Sequence, residues 1–234
     1  MKRLRAAGRW LGRLALLAAA ALLLLQLWYL GWIVLYRWAN PGETAFMSRE
    51  RARIEQVRPG AGLRQVWVDY AAISPHLKRA VVAAEDAHFI EHEGVDWEAI
   101  QKAMEANRRR GRTARGGSTI SQQLAKNLFL SPERSYLRKG QELVITFLIE
   151  ALWGKRRILE VYLNVAEWGD GVFGAEAAAR HYYGLSAARL SAEQAARLAV
   201  MLPRPKFYDR NRGSSYLAGR ASTILRYMND AQIP

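Results

Sequence analysis

The chain of 234 residues contains no cysteine, which excludes a disulfide framework, a thiolate zinc site and a cysteine nucleophile and leaves the redox compartment open. Acid is scarce as well: 21 Asp and Glu stand against 35 Lys and Arg, for a formal charge of +14. An excess of that size points to an anionic partner, and nucleic acid, phosphate groups and acidic lipid all qualify. The first 40 residues hold no acid at all and six basic residues, so subtracting those six leaves +8 on the remainder. No internal repeat is present, and the length suits one domain with an appendage.

What is there begins with an apolar run. From Leu14 to Leu35 only Gln26 and Gly31 interrupt it, and about 20 such residues span the ~30 Å hydrocarbon layer of a bilayer. Lys2, Arg3, Arg5, Arg9 and Arg13 precede the run, while Trp28, Tyr29, Trp32, Tyr36 and Trp38 crowd its far end. That asymmetry places the N-terminus in the cytoplasm. A cleaved signal peptide is the rival reading, but its apolar stretch is roughly 7 to 15 residues and ends in a small-x-small site, which this run lacks. The division is therefore a basic tail over 1–13, a transmembrane helix over 14–36, a stalk over 37–60 and an exported domain over 61–234.

The exported part reads as mainly α. Residues 41–66 mix Pro41, Gly42, Pro59, Gly60 and Gly62 with charges and lead into a short strand, Gln65 to Tyr70. Ser74 and Pro75 open a helix whose inner face carries Leu77, Val81, Ala84 and His88, running to about His92 with Glu85 on the same face. Asp96 caps a second helix with Trp97, Ile100, Met104 and Asn107 on one stripe, ending in a basic loop, Arg108 to Arg115. Ser118 caps a third helix to about Phe129. Ser131 and Pro132 start a fourth, to Trp153, whose Gln141, Val144, Leu148 and Leu152 spacing predicts a helix buried on most sides. Lys155 to Asn164, Ala175 to Tyr183 and Ala192 to Leu202 follow, the last opened by a Ser191–Gln194 capping box and stopped by Pro203.

Several of these residues can carry chemistry. A partly desolvated Glu85 has a raised pKa and can exchange a proton near neutral pH, although most helical glutamates are simply solvated. Arg134, Arg138 and Glu142 recur every fourth residue with Lys139 beside them, and Lys126 lies near the end of the preceding helix. Such a face suits a diphosphate, but taken alone it reads first as an ordinary surface ladder of ion pairs, because i, i+4 pairs are common. The Gly116, Gly117, Ser118 turn ahead of a helix is a weak anion seat. The five arginines within 108–115 have no interleaved aromatic residue to stack bases, which argues against nucleic acid. His88, Glu91 and His92 spell H-x-x-E-H, an inverted zinc-protease pattern that still needs a third ligand such as Glu142, Glu160 or Glu167.

Taken in order, longer strings decide among these readings. Glu85 to Asp96, EDAHFIEHEGVD, is similar to E-D-x-x-F-x-x-H-x-G-x-D, with Glu85, Asp86, Phe89, His92 and Gly94 at its fixed positions. Gly116 to Asn127, GGSTISQQLAKN, contains Gly117, Ser118, Gln122, Gln123, Lys126 and Asn127, with Ser121 where threonine is common. Arg138 to Glu142 gives R-K-x-x-E, Lys155 to Asn164 a fourth string, and Gly174 to Pro205 a last. Over roughly residues 60–210 the chain resembles the peptidoglycan glycosyltransferases, glycosyltransferase family 51, in their monofunctional biosynthetic form. Under this resemblance the zinc pattern is coincidence.

The resemblance implies a lysozyme-like helical domain with a small membrane-proximal lobe, fed from the bilayer by lipid II and a lipid-linked glycan chain. It implies β-1,4 polymerisation with inversion and release of undecaprenyl diphosphate, and, as the chain stops at Pro234, no transpeptidase activity. Glu85 matches the general base and Glu142 a second carboxylate, while Lys126, Arg134, Arg138 and Lys139 fall where the donor diphosphate binds. Asp86, Phe89, His92, Gly94, Gly117, Ser118, Gln122, Gln123 and Asn127 are the motif and substrate-positioning residues. No organic cofactor and no dedicated metal cage is expected; a divalent cation, Mg2+ or Mn2+, can assist the diphosphate through Glu142. The expected setting is the bacterial inner membrane, with the catalytic domain periplasmic, cell-wall synthesis and division proteins as partners, and no nucleic acid. The 108–115 loop is expected to order when donor arrives. A catalytically silent, lipid-diphosphate-binding scaffold is the alternative from another functional class.

Overall fold

The computed structural model describes residues 2–110, 116–133 and 135–234, with the side chains of 2–9 and 110 excepted. Two compact units divide the chain, residues 1–39 and 40–234.

The first unit is a single helix, α1 (Lys2–Tyr36), so the basic tail is helical from Lys2 onward. Trp10–Tyr36 is long and apolar enough to cross a membrane, with a mean hydropathy of 2.1 in its most apolar window, and about 27 residues at 1.5 Å each span roughly 40 Å. This is compatible with a single-pass membrane anchor. Edge-to-face contact of Trp28 with Tyr29 and Trp32, and a tilted contact of Trp32 with Tyr36, gather aromatics at its C-terminal end.

The second unit is mostly helical. The segment read as a stalk contains α2 (Ala45–Val57), capped by Thr44, whose hydroxyl accepts from the Met47 N–H at 3.2 Å. Met47, Glu50 and Ile54 are buried at i, i+3 and i+7, a periodicity hidden in sequence by the charges around it. The strand expected over Gln65 to Tyr70 is shorter: β1 is Arg64–Gln65 only. It pairs in parallel with β3 (Val172–Phe173), which pairs antiparallel with β2 (Glu167–Gly169), giving the order β1-β3-β2. The β2–β3 turn is made by Gly171 at φ +73°, and a Cβ there would meet Ile54 at 2.7 Å.

The remaining helices are α3 (Pro75–Glu85), α4 (Trp97–Arg110), α5 (Ile120–Phe129), α6 (Tyr136–Leu152), α7 (Lys155–Val165), α8 (Ala175–Tyr183), α9 (Ala192–Met201), α10 (Pro205–Arg210) and α11 (Ser215–Tyr227), of which α8 and α10 pack on the small sheet. One cluster joins α3, α9 and α11, where Leu77, Ala80 and Val81 face Ala195, Ala196 and Ala199, all fully buried. The small alanines let the helix axes approach closely. The other joins α5 to α6 and α7 through Leu124, Ile145, Ile149, Ile158 and Leu159.

Several boundaries move. Helix α3 stops at Glu85, because the Asp86 carboxylate turns away to bind elsewhere, and His88 and His92 lie in the turns beyond. Thr119, not Ser118, caps α5: its hydroxyl accepts from the Gln122 N–H, and the Gln122 side chain accepts from the Thr119 N–H. Ser135, not Ser131, caps α6, and only one face is buried, Glu142, Ile145, Thr146 and Ile149, while Val144 and Phe147 are exposed. The three arginines Arg108 to Arg110 belong to α4; residues 111–115 of the expected loop lie outside the described residues. The Ser191–Gln194 capping box and the span of α8 are as expected.

Candidate active site

Four segments converge on Glu85. As the last residue of α3 it is positioned by the buried Leu77 and Val81 behind it, and its Oε2 accepts a hydrogen bond of 2.8 Å from Gln123 Nε2 of α5. The other end of that amide is held too: the Tyr162 hydroxyl of α7 donates to Gln123 Oε1 at 2.9 Å. Burial pushes the Glu85 carboxyl above its ordinary range; the Gln123 bond opposes this, the Asp86 charge adds to it, and the Lys126 and Arg220 charges oppose it. Glu85 is thus a carboxylate with a raised proton affinity and no direct ion-pair partner among the described residues.

Asp86 ties the strands of the site together. Its carboxylate accepts from the Ile120 N–H at the start of α5 at 2.9 Å and from His92 Nε2 at 2.9 and 3.1 Å. The Gly94 N–H donates to His92 Nδ1 at 3.1 Å, so the ring proton sits on Nε2. Gly94 has φ +92° and a Cβ there would lie 2.8 Å from the Thr146 methyl, while its carbonyl accepts from the Thr119 hydroxyl at 2.6 Å. Phe89 is fully buried beneath, with the His92 ring edge-on and the Lys155 ammonium 4.7 Å over its face. Both nitrogens of His92 are occupied, and His88 pairs with a different carboxylate, Asp96, at 3.1 Å. The H-x-x-E-H string therefore does not converge, and among the described residues no three potential ligands are grouped to hold a metal ion.

The second carboxylate, Glu142, is buried in α6 rather than part of a surface ladder. Arg138 Nη1 binds its Oε2 at 2.5 Å and Lys139 binds its Oε1. Arg138 Nε is buried without a partner among the described residues. Lys126 feels the charge of both carboxylates. Burial lowers its ammonium pKa, while it senses the charges of Glu142, Arg138, Lys139 and Glu85, and it stands 5.4 Å over the Phe46 ring. Arg134, expected on this face, precedes α6 and lies outside the described residues.

An open groove of about 280 Å3 has Lys139 in its wall, with Trp97, Ile100 and Met104 of α4, Leu143 of α6, and Ser118 and Gln122. The stripe predicted on α4 thus faces the groove. Gly117 lets the backbone pass close to Ile100, whose Cα would lie 3.0 Å from a Cβ. Gln122 is committed to the capping box, and Asn127 is buried. Sequence reasoning left three participants unassigned: Tyr162, Arg220, and Glu150, which accepts from both Ser121 and Lys155. The signal for Tyr162 was available, since Ile158, Leu159 and Val165 place it on a buried stripe and a buried phenol needs a partner.

Comparison with known proteins gives one consistent result. The transglycosylase family model matches residues 51–229. A biosynthetic peptidoglycan transglycosylase from Dechloromonas aromatica (strain RCB) is 60% identical over 227 residues, 97% of this chain and 98% of that protein. Those of Azoarcus sp. (strain BH72), 59% identical over 97% of each chain, and Bordetella pertussis, 60% identical over 91% of this chain and 89% of that one, are similar. The chain belongs to the transglycosylase family.

Proposed function

We propose that Glu85 is the general base, and Glu142 the organiser of a diphosphate-binding cation cluster, in the enzyme that polymerises lipid II into the glycan strands of peptidoglycan. The observation that supports this is the contrast between two neighbouring carboxylates, one held by a neutral amide and the other by two cations. The acceptor sugar's 4-hydroxyl is a poor nucleophile and gains from losing its proton to Glu85 as its oxygen attacks the anomeric carbon. The anomeric bond to the diphosphate oxygen breaks on the opposite face, and that oxygen keeps the electron pair. The result is a β-1,4 bond with inversion and release of undecaprenyl diphosphate. Lys126, Arg138 and Lys139, with Arg134, neutralise the leaving charge, which a diphosphate needs more than a proton.

A divalent cation, Mg2+ or Mn2+, would be held by Glu142 and would supply further neutralisation of the diphosphate. Since Arg138 and Lys139 occupy both Glu142 oxygens, such an ion would displace one of them. The basic N-terminal flank of the apolar helix supports an N-terminus in the cytoplasm and a catalytic unit in the periplasm at the inner membrane, where cell-wall synthesis and division proteins would be its partners.

The deciding experiment incubates the full-length protein in detergent with fluorescent lipid II, beside Glu85→Gln, and resolves products on a gel with and without muramidase. A muramidase-sensitive ladder from the wild type alone is expected. A ladder from both proteins would remove Glu85 from the mechanism, and no ladder from either, with lipid II still bound, would favour the scaffold reading.

A further inference from the structure

The amide between Glu85 and Tyr162 has a direction, and that direction matters to a base. An ionised carboxylate only accepts hydrogen bonds, so it needs the NH2 end of Gln123; a protonated carboxyl can instead donate to the oxygen end. Which end faces Glu85 is therefore coupled to what sits at the other end of Gln123, namely the Tyr162 hydroxyl at 2.9 Å.

We infer that Tyr162 is a positioning residue for the reaction: by donating to Gln123 Oε1 it holds the amide with its NH2 toward Glu85, which favours the ionised base. This rests on Glu85 being the base. The chain is asymmetric. In the direction found, the Tyr162 proton has an acceptor, Gln123 Oε1, and both Gln123 ends are satisfied. In the reversed direction the amide would donate to the phenol oxygen, and the phenol proton would lose the one acceptor recorded for it among the described residues. A buried donor without an acceptor is costly. Tyr162 is buried in α7 between Leu159, Val161 and Leu163, and burial, with the charges of Glu85 and Asp86, holds its phenol neutral. It remains a donor across the working pH range.

The groups facing Glu85 are Asp86 after it, Gln123 and Lys126 from α5, Tyr162 from α7 and Arg220 from α11. Tyr162 is the one whose hydroxyl can be deleted without altering charge or shape. In Tyr162→Phe the Gln123 oxygen loses its donor, the amide turns over more freely, and protonated Glu85 gains a partner.

The test measures lipid II polymerisation by full-length protein against pH for wild type, Tyr162→Phe and Glu85→Gln, with thermal unfolding as the folding control. Tyr162→Phe is expected to lose roughly tenfold in kcat and to move the acid limb of kcat/KM up by about half to one pH unit, the scale of one buried hydrogen bond. The KM for lipid II is expected to stay within about twofold, because the substrate contacts are untouched. An acid limb that coincides with the wild type would overturn the inference, whatever the rate. A polymerising Glu85→Gln would overturn the base assignment instead, so the two failures are distinguishable. Should Tyr162→Phe not fold, 3-fluorotyrosine at 162 keeps the ring and makes a stronger donor. The acid limb is then expected to move down, and no movement would likewise overturn the inference.

Discussion

Two regions of the second unit hold carboxylates with disturbed surroundings, and they differ in what their cations have left to give. In the cluster joining α2, β2 and α10, Glu50 is bound by Arg53 and Lys206, Asp170 by Arg53 and Arg58, and Lys206 also reaches Glu167 at 3.3 Å. Three cations meet three carboxylates and the charges close. In the other region Arg138 and Lys139 pair with a single carboxylate, Glu142, Lys126 feels its charge, Arg138 keeps an unpartnered Nε, and Lys139 lines the groove. The positive surplus there has no internal use. Perturbed carboxylates alone therefore do not mark a site: burial lifts the Glu167 carboxyl to about 7 without any sign of catalysis. What marks the site is a surplus of cations, one of which, Lys139, lines an open groove.

The sharpest way to break this comparison is Glu85→Gln. Removing a general base is expected to cost about 10²- to 10⁴-fold in polymerisation, while lipid II binding, measured by fluorescence anisotropy, stays within a few-fold. Next comes Arg138→Ala, which strips the surplus and frees one Glu142 oxygen. Lipid II affinity is expected to fall roughly 10- to 100-fold, the scale of charge-assisted hydrogen bonds, and titrations at several salt concentrations should show a weaker salt dependence than wild type. An unchanged affinity would mean that the surplus is not the anion site.

In the closed cluster the effects fall on stability instead. Well below pH 4.5 Glu167 is protonated folded and unfolded alike; between about 4.5 and 7 the unfolded chain ionises while the folded carboxyl still holds its proton, so stability falls with rising pH across that window and the contribution is lost by the time pH passes 7. Glu167→Gln is expected to flatten the stability profile between pH 5 and 8 by on the order of 2 kcal/mol, read by thermal unfolding, with polymerisation unaffected. Smallest is Arg58→Ala, an exposed partner of Asp170: less than about 1 kcal/mol and no change in activity.

Much of this was legible from the chain. Leu77 and Val81 put Glu85 on an inner face, and both residues are fully buried. The Asp96 cap is present, its Oδ1 accepting from the Ala99 N–H at 2.7 Å. Helix α2 was not legible, because Arg49, Glu50, Arg51 and Arg53 mask the apolar positions Met47 and Ile54 and only the ion-pair cluster makes a buried Glu50 acceptable. The spacing alone favours an exposed ladder around Glu142, whereas the carboxylate is buried, since i, i+4 spacing fixes a shared face and not the direction it points.

The sequence by itself determined the apolar anchor helix, the helical periodicities and the ordered motifs that carry the family, because these are local or linear properties. Tertiary structure alone decided that Gln123 meets Glu85 and Tyr162 meets Gln123, across separations of 38 and 39 residues, and that His92 binds Asp86. Those outcomes depend on which buried donors find acceptors once α3, α5 and α7 are packed, and hydrogen-bond satisfaction in a closed interior is a property of the assembled fold.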